Sequence, residues 1–507
     1  MFAKLFGKKS DHPMKDIKRT QALLNDLSRN DAFKLVTELT AWIESVALSE
    51  EFRLADQFPV LCLLDETAQP YARKLAYEYF TLPDMNTYHG RRLRQAMGNF
   101  YHNTVTAYLT MIHRCCNADK GAAAIKVHLP LMVARAVCLM REQVKYAAAH
   151  YGPYDDRIWH HLAQLCGHAE QQQYLDVSLK LYPTLVSTTT VKSEAGQLVA
   201  WYSCGINSLN PQSMHLAERL IAQYGNTLEI SARPTGKVLF GIDLAHPSTP
   251  VRISQEAALH TSMRYICPAD MQVRLEALIK ILKKNIVPQE LNLGGTFAAE
   301  SVLDAAQHIL TYLIDPPVRQ NKRLALSTVI DVVAGFENVL GFCSGQSVVD
   351  YPSMQWVLEN VSSSGFCAVL PNRRAEGLCI GTLLGIQTAA VQKPGVAIVR
   401  RMLRDAEGRL QVGVETLANQ VSEVTLQQSA AGRFENDQSA LWLHSGIEDG
   451  TVRLLMQPDT FLMQRSLKTC FAGKNYLMIP AQLQENGLDY DLASFRVIEQ
   501  EEAEKQD

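Results

Sequence analysis

Two short stretches hold the residues whose types and spacing could do chemistry. The first, RQNKR, runs from Arg319 to Arg323 and closely follows Pro316 and Pro317. The second, NVSSSG, runs from Asn360 to Gly365 and ends an apolar run. Arg319, Lys322 and Arg323 crowd three cations into five residues, an arrangement comfortable only with water or an anion nearby. A guanidinium fork makes paired hydrogen bonds to phosphate or to the O6/N7 edge of guanine, and its plane stacks on aromatic rings. An asparagine amide both donates to and accepts from a purine edge, and a serine hydroxyl adapts to either role. Gly365 lacks a Cβ, so it can turn the chain or let a ligand come close to the backbone. The set suits an anionic guanine nucleotide. With it come no carboxylate pair for magnesium, no Gly-rich loop opening a helix and no evident base. The chemistry expected is recognition without catalysis.

A hydrogen bond to a charged group contributes about 1.5–3 kcal/mol. Micromolar affinity needs roughly 8 kcal/mol. About four or five such contacts suffice if the loop orders cheaply, and the proline pair before it lowers that cost.

The elements that must position these groups follow from periodicity. Residues 15 to 225 read as helix: Phe33, Val36, Leu39, Ile43 and Val46 recur at spacings of three and four and give one apolar face. CNADKG and YGPYDD divide the region into several helices. Two β-rich runs around HPSTP, between residues 226 and 267, suggest a small hairpin. Two helices follow, with stripes at Met271, Leu275, Leu278, Leu282 and at Val302, Ala306, Ile309, Leu313; the second stops at DPPV because proline cannot continue it. From Leu324 the period switches to strand, in LALSTVIDVV, MQWVLENV, GLCIGTLLGIQ, VAIVRRML and LQVGVETL, with RDAEGR a hairpin turn between the last two. Period-two alternation places Trp356, Leu358, Asn360 and Ser362 on one face. ALWLHS, TVRLLMQ and NYLMIPAQL add further strands, and EQEEAEKQD reads as a charged, disordered tail.

The fold class expected is a multidomain α + β chain: an all-helical N-terminal region, an antiparallel barrel or sandwich and a small C-terminal β unit. The boundaries read as a helical domain at 1–225, a connecting region of hairpin plus helices at 226–315, the barrel at 316–420, the β-rich unit at 421–498 and the tail at 499–507.

RQNKR in a loop, followed by a barrel strand ending in NVSSSG and then by GTLLGIQ and GVAIVRRMLRDAEGRLQVGVETL, resembles the PilZ domain, a bacterial receptor for cyclic di-GMP. The resemblance covers residues 316 to 420. It implies that Arg319 and Arg323 clamp phosphates and meet the guanines, that Asn360 and Ser362 contact a guanine, and that Gly365 permits the tight turn. One departure is the long gap between the motifs, where GFCSGQSVVDYPS looks like an insertion. Cyclic di-GMP is then the ligand, with no other cofactor, no metal and no enzymatic activity. A protein partner would dock on the helical region. The alternative is a PilZ-like adapter that binds protein without nucleotide.

Composition sets outer limits. The net charge of −3 over 507 residues provides no global field to recruit nucleic acid or membrane. Eleven cysteines without a CxxC fit a reducing cytoplasm. MFAKLFGKKSDHP reads as a frayed basic terminus rather than a signal peptide, and no integral membrane segment is expected. His160, His161, Cys166 and His168 read as surface or core residues rather than metal ligands, because neighbours on a helix diverge by about 100°. Trp42, Trp159 and Trp201 read as core, and Arg91, Arg92 and Arg94 as a solvated helical face. Arg400 and Arg404 repeat the arginine spacing by chance and read as exposed charge.

Overall fold

Apolar spacing and caps together dictate the helical region. In a computed structural model, residues 12–500 are described except 50–51, 84, 86, 234–239, 254–259, 318–320, 346–352, 372–376, 389–392, 429–436 and 449. The chain divides into two compact units, Met1–Pro317 and Val318–Asp507.

The first unit begins with α1 (Ile17–Asp26), α2 (Ala32–Leu48), α3 (Leu54–Phe80) and α4 (Tyr88–Cys116). It continues through α5 (Ala122–Ile125), α6 (Leu129–Ala148), α7 (Arg157–Gln171), α8 (Val191–Ser203) and α9 (Pro211–Tyr224). Asp31, Thr87 and Asn210 cap helix starts by accepting from the backbone N–H of Lys34, Gly90 and Ser213. Each such cap is worth about 1 kcal/mol. The predicted stripe on α2 is buried at Val36, Leu39, Ile43 and Val46, while Phe33 lies outside the core and stacks under Arg92. Trp159 and Trp201 are buried and Trp42 is half-buried.

Charge also sits inside this unit. Arg141 on α6 donates to Glu218 and Glu194 at 2.9 Å each, and Lys145 reaches Glu218 at 3.0 Å. Desolvating these groups is tolerable only because each one is paired. By length and composition alone Ala122–Ala148 could cross a membrane, but it carries the buried Arg135 and Arg141 and over half of it is packed inside the unit, as a core helix is.

The expected hairpin belongs to a larger sheet. β1 (Glu229–Ser231), β2 (Phe240–Asp243), β3 (Val251–Arg252) and β4 (Met263–Cys267) form a four-stranded sheet in the order β1-β4-β2-β3. Only β2 and β3 were visible as β-rich runs. Helices α10 (Ala269–Leu282) and α11 (Ala299–Ile314) follow, with both predicted stripes buried.

Among its described residues the second unit is built of β-strands with one helix. Its first part runs β5 (Leu324–Ala325), β6 (Val329–Ala334), α12 (Phe336–Cys343), β7 (Met354–Ser362), β8 (Gly365–Leu370), β9 (Leu383–Gln387), β10 (Gly395–Arg404) and β11 (Leu410–Ala418). Strands β6–β11 close a ring through the β7–β8 pairing, and β5 extends the β6 edge along β7. Trp356, Leu358, Ala368, Val412 and Met402 are buried in this barrel. Sequence reading missed β8, whose GFCAVL follows a turn of two serines, and α12, whose last turn holds the Gly341–Cys343 start of the presumed insertion. Residues 346–352 of that insertion are outside the described residues.

The expected C-terminal β unit is a closed six-stranded barrel. It comprises β12 (Val421–Gln428), β13 (Gln438–Glu448), β14 (Thr451–Met456), β15 (Leu467–Phe471), β16 (Lys474–Asn486) and β17 (Asp491–Gln500). β17 takes up Glu499 and Gln500 from the expected tail, and Lys474 pairs with Glu499 at 2.9 Å; residues 501–507 are outside the described residues.

Candidate ligand-binding site

Antiparallel register brings the two motifs together. Leu324 faces Val361 and Ala325 faces Asn360, so the segment ending in Arg323 enters the barrel beside the end of β7. Asn321, inside RQNKR, donates its side-chain amide to Ser364 Oγ at 3.3 Å. Arg323 is exposed beside this edge. Arg319 is outside the described residues.

The strand end departs from simple alternation. Leu358 pairs with Ala368, but Asn360 pairs with Cys367, so Glu359 is an extra residue bulged out of β7. A bulge shifts the side-chain phase. Asn360 and Ser362 therefore share the outer face of Cys367, while Trp356 and Leu358 point into the core. Two-residue alternation could not reveal this, because a bulge leaves no signature in residue type.

Asn360 Oδ1 is buried and has no hydrogen-bond partner among the described residues. A buried acceptor left unsatisfied costs about 1–3 kcal/mol, which a donor from a bound base would recover. Ser362 Oγ donates to the Gly365 carbonyl at 3.1 Å, closing the turn on itself. Gly365 pairs with Ser362 across the turn and has a further packing role. The turn is Ser363–Ser364; a Cβ at Gly365 would collide with the Val414 carbonyl oxygen of β11. The glycine lets β8 press against β11, and Thr416 N–H donates to the Ser364 carbonyl at 3.0 Å.

The register extends the outer face sideways. Asn360 pairs with Cys367, Cys367 with Gly413, and Gly413 with Arg401. These residues form one transverse row across four strands. Gly413 contributes no side chain, and a Cβ there would meet Arg401 Cβ at 3.2 Å. Cys367 reports the local field. Burial and the Glu359 carboxylate push its thiol up, and Arg323 and Arg401 oppose them. Two arginines from opposite ends of the row thus act on its centre. Arg401 was missed by sequence reading. The signal available was its position one residue past Arg400 in a strand whose partner carries a lone glycine, which has meaning only once the register is known.

Arg400 behaves otherwise than expected. Its guanidinium grips Glu485 of β16 through two bonds of 2.7 and 2.6 Å and also bonds Glu415 at 2.7 Å. It is a bidentate tie between the two barrels, not loose surface charge. Among the described residues no cluster suits a metal ion; His168 instead meets Tyr174 OH at 2.7 Å and Cys116 Sγ at 3.4 Å.

A closed six-stranded antiparallel barrel with a cation-bearing entry and a polar strand end defines a PilZ-domain protein, and the comparison with family models agrees. Residues 343–422 match the model described as the middle PilZ domain of the cyclic-di-GMP receptor FimW. Residues 18–235 match the model described as the N-terminal domain of that same receptor, so the helical region that sequence reading left unassigned also has a family. The two models describe a receptor, and their domains occur here in the same order. The matched PilZ region contains Asn360, Ser362 and Gly365 and begins after Arg323. Searches of curated proteins and of solved structures give no match.

Proposed function

We propose that this chain is a cyclic di-GMP receptor whose site is the outer face of the first barrel. Arg323, with Arg319 from the same segment, would meet phosphate and guanine; Asn360 would satisfy its buried Oδ1 on a guanine edge. Ser362 and Gly365 would hold the turn that presents Asn360, and Arg401 would reach in across the floor at Gly413. The observation that carries the reading is the contact between Asn321 and Ser364, 43 positions apart, near an Asn360 oxygen that has no partner among the described residues: the two motifs converge on one polar edge.

Recognition needs no group transfer, and the residues fit that role. The guanidinium forks supply planar paired donors, and the open glycine floor leaves room for a purine. The helical unit would carry the output by docking a protein partner in the cytoplasm. Nucleotide can drive such a relay only if it binds one conformation more tightly than another.

Calorimetric titration of the full chain with cyclic di-GMP tests the reading. The expected result is saturable heat with a Kd at or below the micromolar range and a raised Tm. Absence of both at ligand far above micromolar would leave the PilZ-like adapter as the function.

A further inference from the structure

Residues beyond 422 lie outside both matched regions, yet their topology repeats what precedes them. In chain order, the six strands β6–β11 close in the sequence first, second, third, sixth, fifth, fourth. Strands β12–β17 close in that same sequence, again with every pairing antiparallel. In both, the second and third strands form a hairpin around a two-residue turn: Ser362 pairs with Gly365 in the first barrel, and Glu448 with Thr451 in the second.

The hairpin lets the ligand row be traced onto the copy. Two residues beyond the turn pair on the third strand stand Cys367 in the first barrel and Arg453 in the second. The row Asn360, Cys367, Gly413, Arg401 then corresponds to Leu443, Arg453, Ser494, Gln482. The polar acceptor has become leucine and the open floor a serine. No arginine segment precedes the copy, because only Asn419 and Gln420 separate β11 from β12.

The corresponding face is also occupied. Leu441, Leu443, Leu455 and Leu492 point outward from the second barrel into a shared core with Val333, Phe336, Val396, Ile398 and Leu417 of the first. Arg453 donates to the Leu417 carbonyl at 2.9 Å. Trp442, one position from Leu443, belongs instead to the second barrel's own interior. Arg400 with Glu485, and Phe336 N–H with the Asp489 carboxylate at 2.6 Å, tie the rim of the joint.

We propose that residues 421–500 are a second barrel of PilZ topology whose ligand-equivalent face has become the joint to the first, giving a rigid tandem with one nucleotide site. Its ligand clause rests on the receptor reading; its joint clause does not.

Two arms test it on the full chain. Labelled with 5-fluorotryptophan, Trp356 reports the first barrel and Trp442 the second by 19F NMR during urea unfolding. The two signals are expected to be lost at one midpoint, and Glu485→Gln should lower both together. Separate midpoints, or a shift of Trp442 alone, would overturn the joint. In the second arm, Arg323→Ala with Asn360→Ala is titrated with cyclic di-GMP beside the wild type. Loss of all saturable binding is expected. A remaining saturable phase would place a second site on the chain and overturn the single-site clause. Wild type that binds nothing would sink the receptor reading, and the urea arm would still decide whether the barrels are one body.

Discussion

Asn321 Nδ2 lies 3.3 Å from Ser364 Oγ, so the arginine-bearing segment is pinned to the turn that ends β7. The pin holds Arg323 near the strand edge before any ligand arrives, which reduces the entropy lost on binding. Arg323→Ala should weaken cyclic di-GMP by roughly ten- to a hundred-fold, the loss of about one or two charge-assisted bonds. Calorimetry measures the affinity. A Tm within about a degree of wild type in the ligand-free state would show that the barrel itself is intact, as expected for an exposed side chain.

Arg401 should matter as much as the motif arginine. It stands on the row of Asn360, Cys367 and Gly413, whereas Arg400 beside it is tied to Glu485 and Glu415. Arg401→Ala is expected to lower affinity by roughly ten-fold with little change in stability, and Arg400→Ala to do the reverse. Paired titrations and melts of the two variants separate the roles. Equal binding loss in both would refute the assignment of Arg401.

Gly365→Ala is expected to destabilise the first barrel by about 1–3 kcal/mol, the usual cost of overpacking. The added carbon has backbone, not a flexible side chain, in its way, at the Val414 carbonyl. Urea unfolding followed through Trp356 measures it. An unchanged midpoint would mean that β8 and β11 can separate without cost.

Acid should loosen the tie between the barrels. Burial alone would raise the Glu485 carboxyl, but hydrogen bonds from Arg400 and Tyr490 win and hold it below the ordinary 4.5. A carboxylate with a lowered folded pKa stabilises fully above the unfolded value and loses that contribution as pH falls through the folded value. The wild type should therefore lose more stability than Glu485→Gln between pH 5 and lower values. Melts of both across that window check it, and parallel curves would rule the carboxylate out as the source.

The helical unit should show its own pH response through His215. Burial, with Lys145 adding to it, lowers this imidazole to about 3, and its Nε2 meets the Leu293 carbonyl at 2.9 Å. The unfolded chain takes up the proton near pH 6.5, so native stability is complete above that and falls as pH drops from 6.5 toward 3. The slope approaches about 1.4 kcal/mol per pH unit from this one group. In His215→Gln, that part of the acid sensitivity should vanish, as followed by helical circular dichroism.

Much of this protein was legible in its residue order. Helical spacing marked the faces of α2, α10 and α11, because a buried stripe must recur every three or four residues whatever packs on it. The switch to period two announced the barrels, and RQNKR with NVSSSG pointed to the anionic guanine nucleotide proposed as ligand, because side-chain type alone fixes what a group can donate or accept. Tertiary structure decided the rest. The bulge at Glu359 put Asn360 on the face opposite Trp356 and Leu358, where alternation had placed all three together, and register carried Arg401 to the same row over Gly413. The pairing order, which no local pattern encodes, made the last eighty or so residues a second barrel. Strand partners are chosen by burial and closure over the whole sheet, and those energies exist only between segments that sequence keeps far apart.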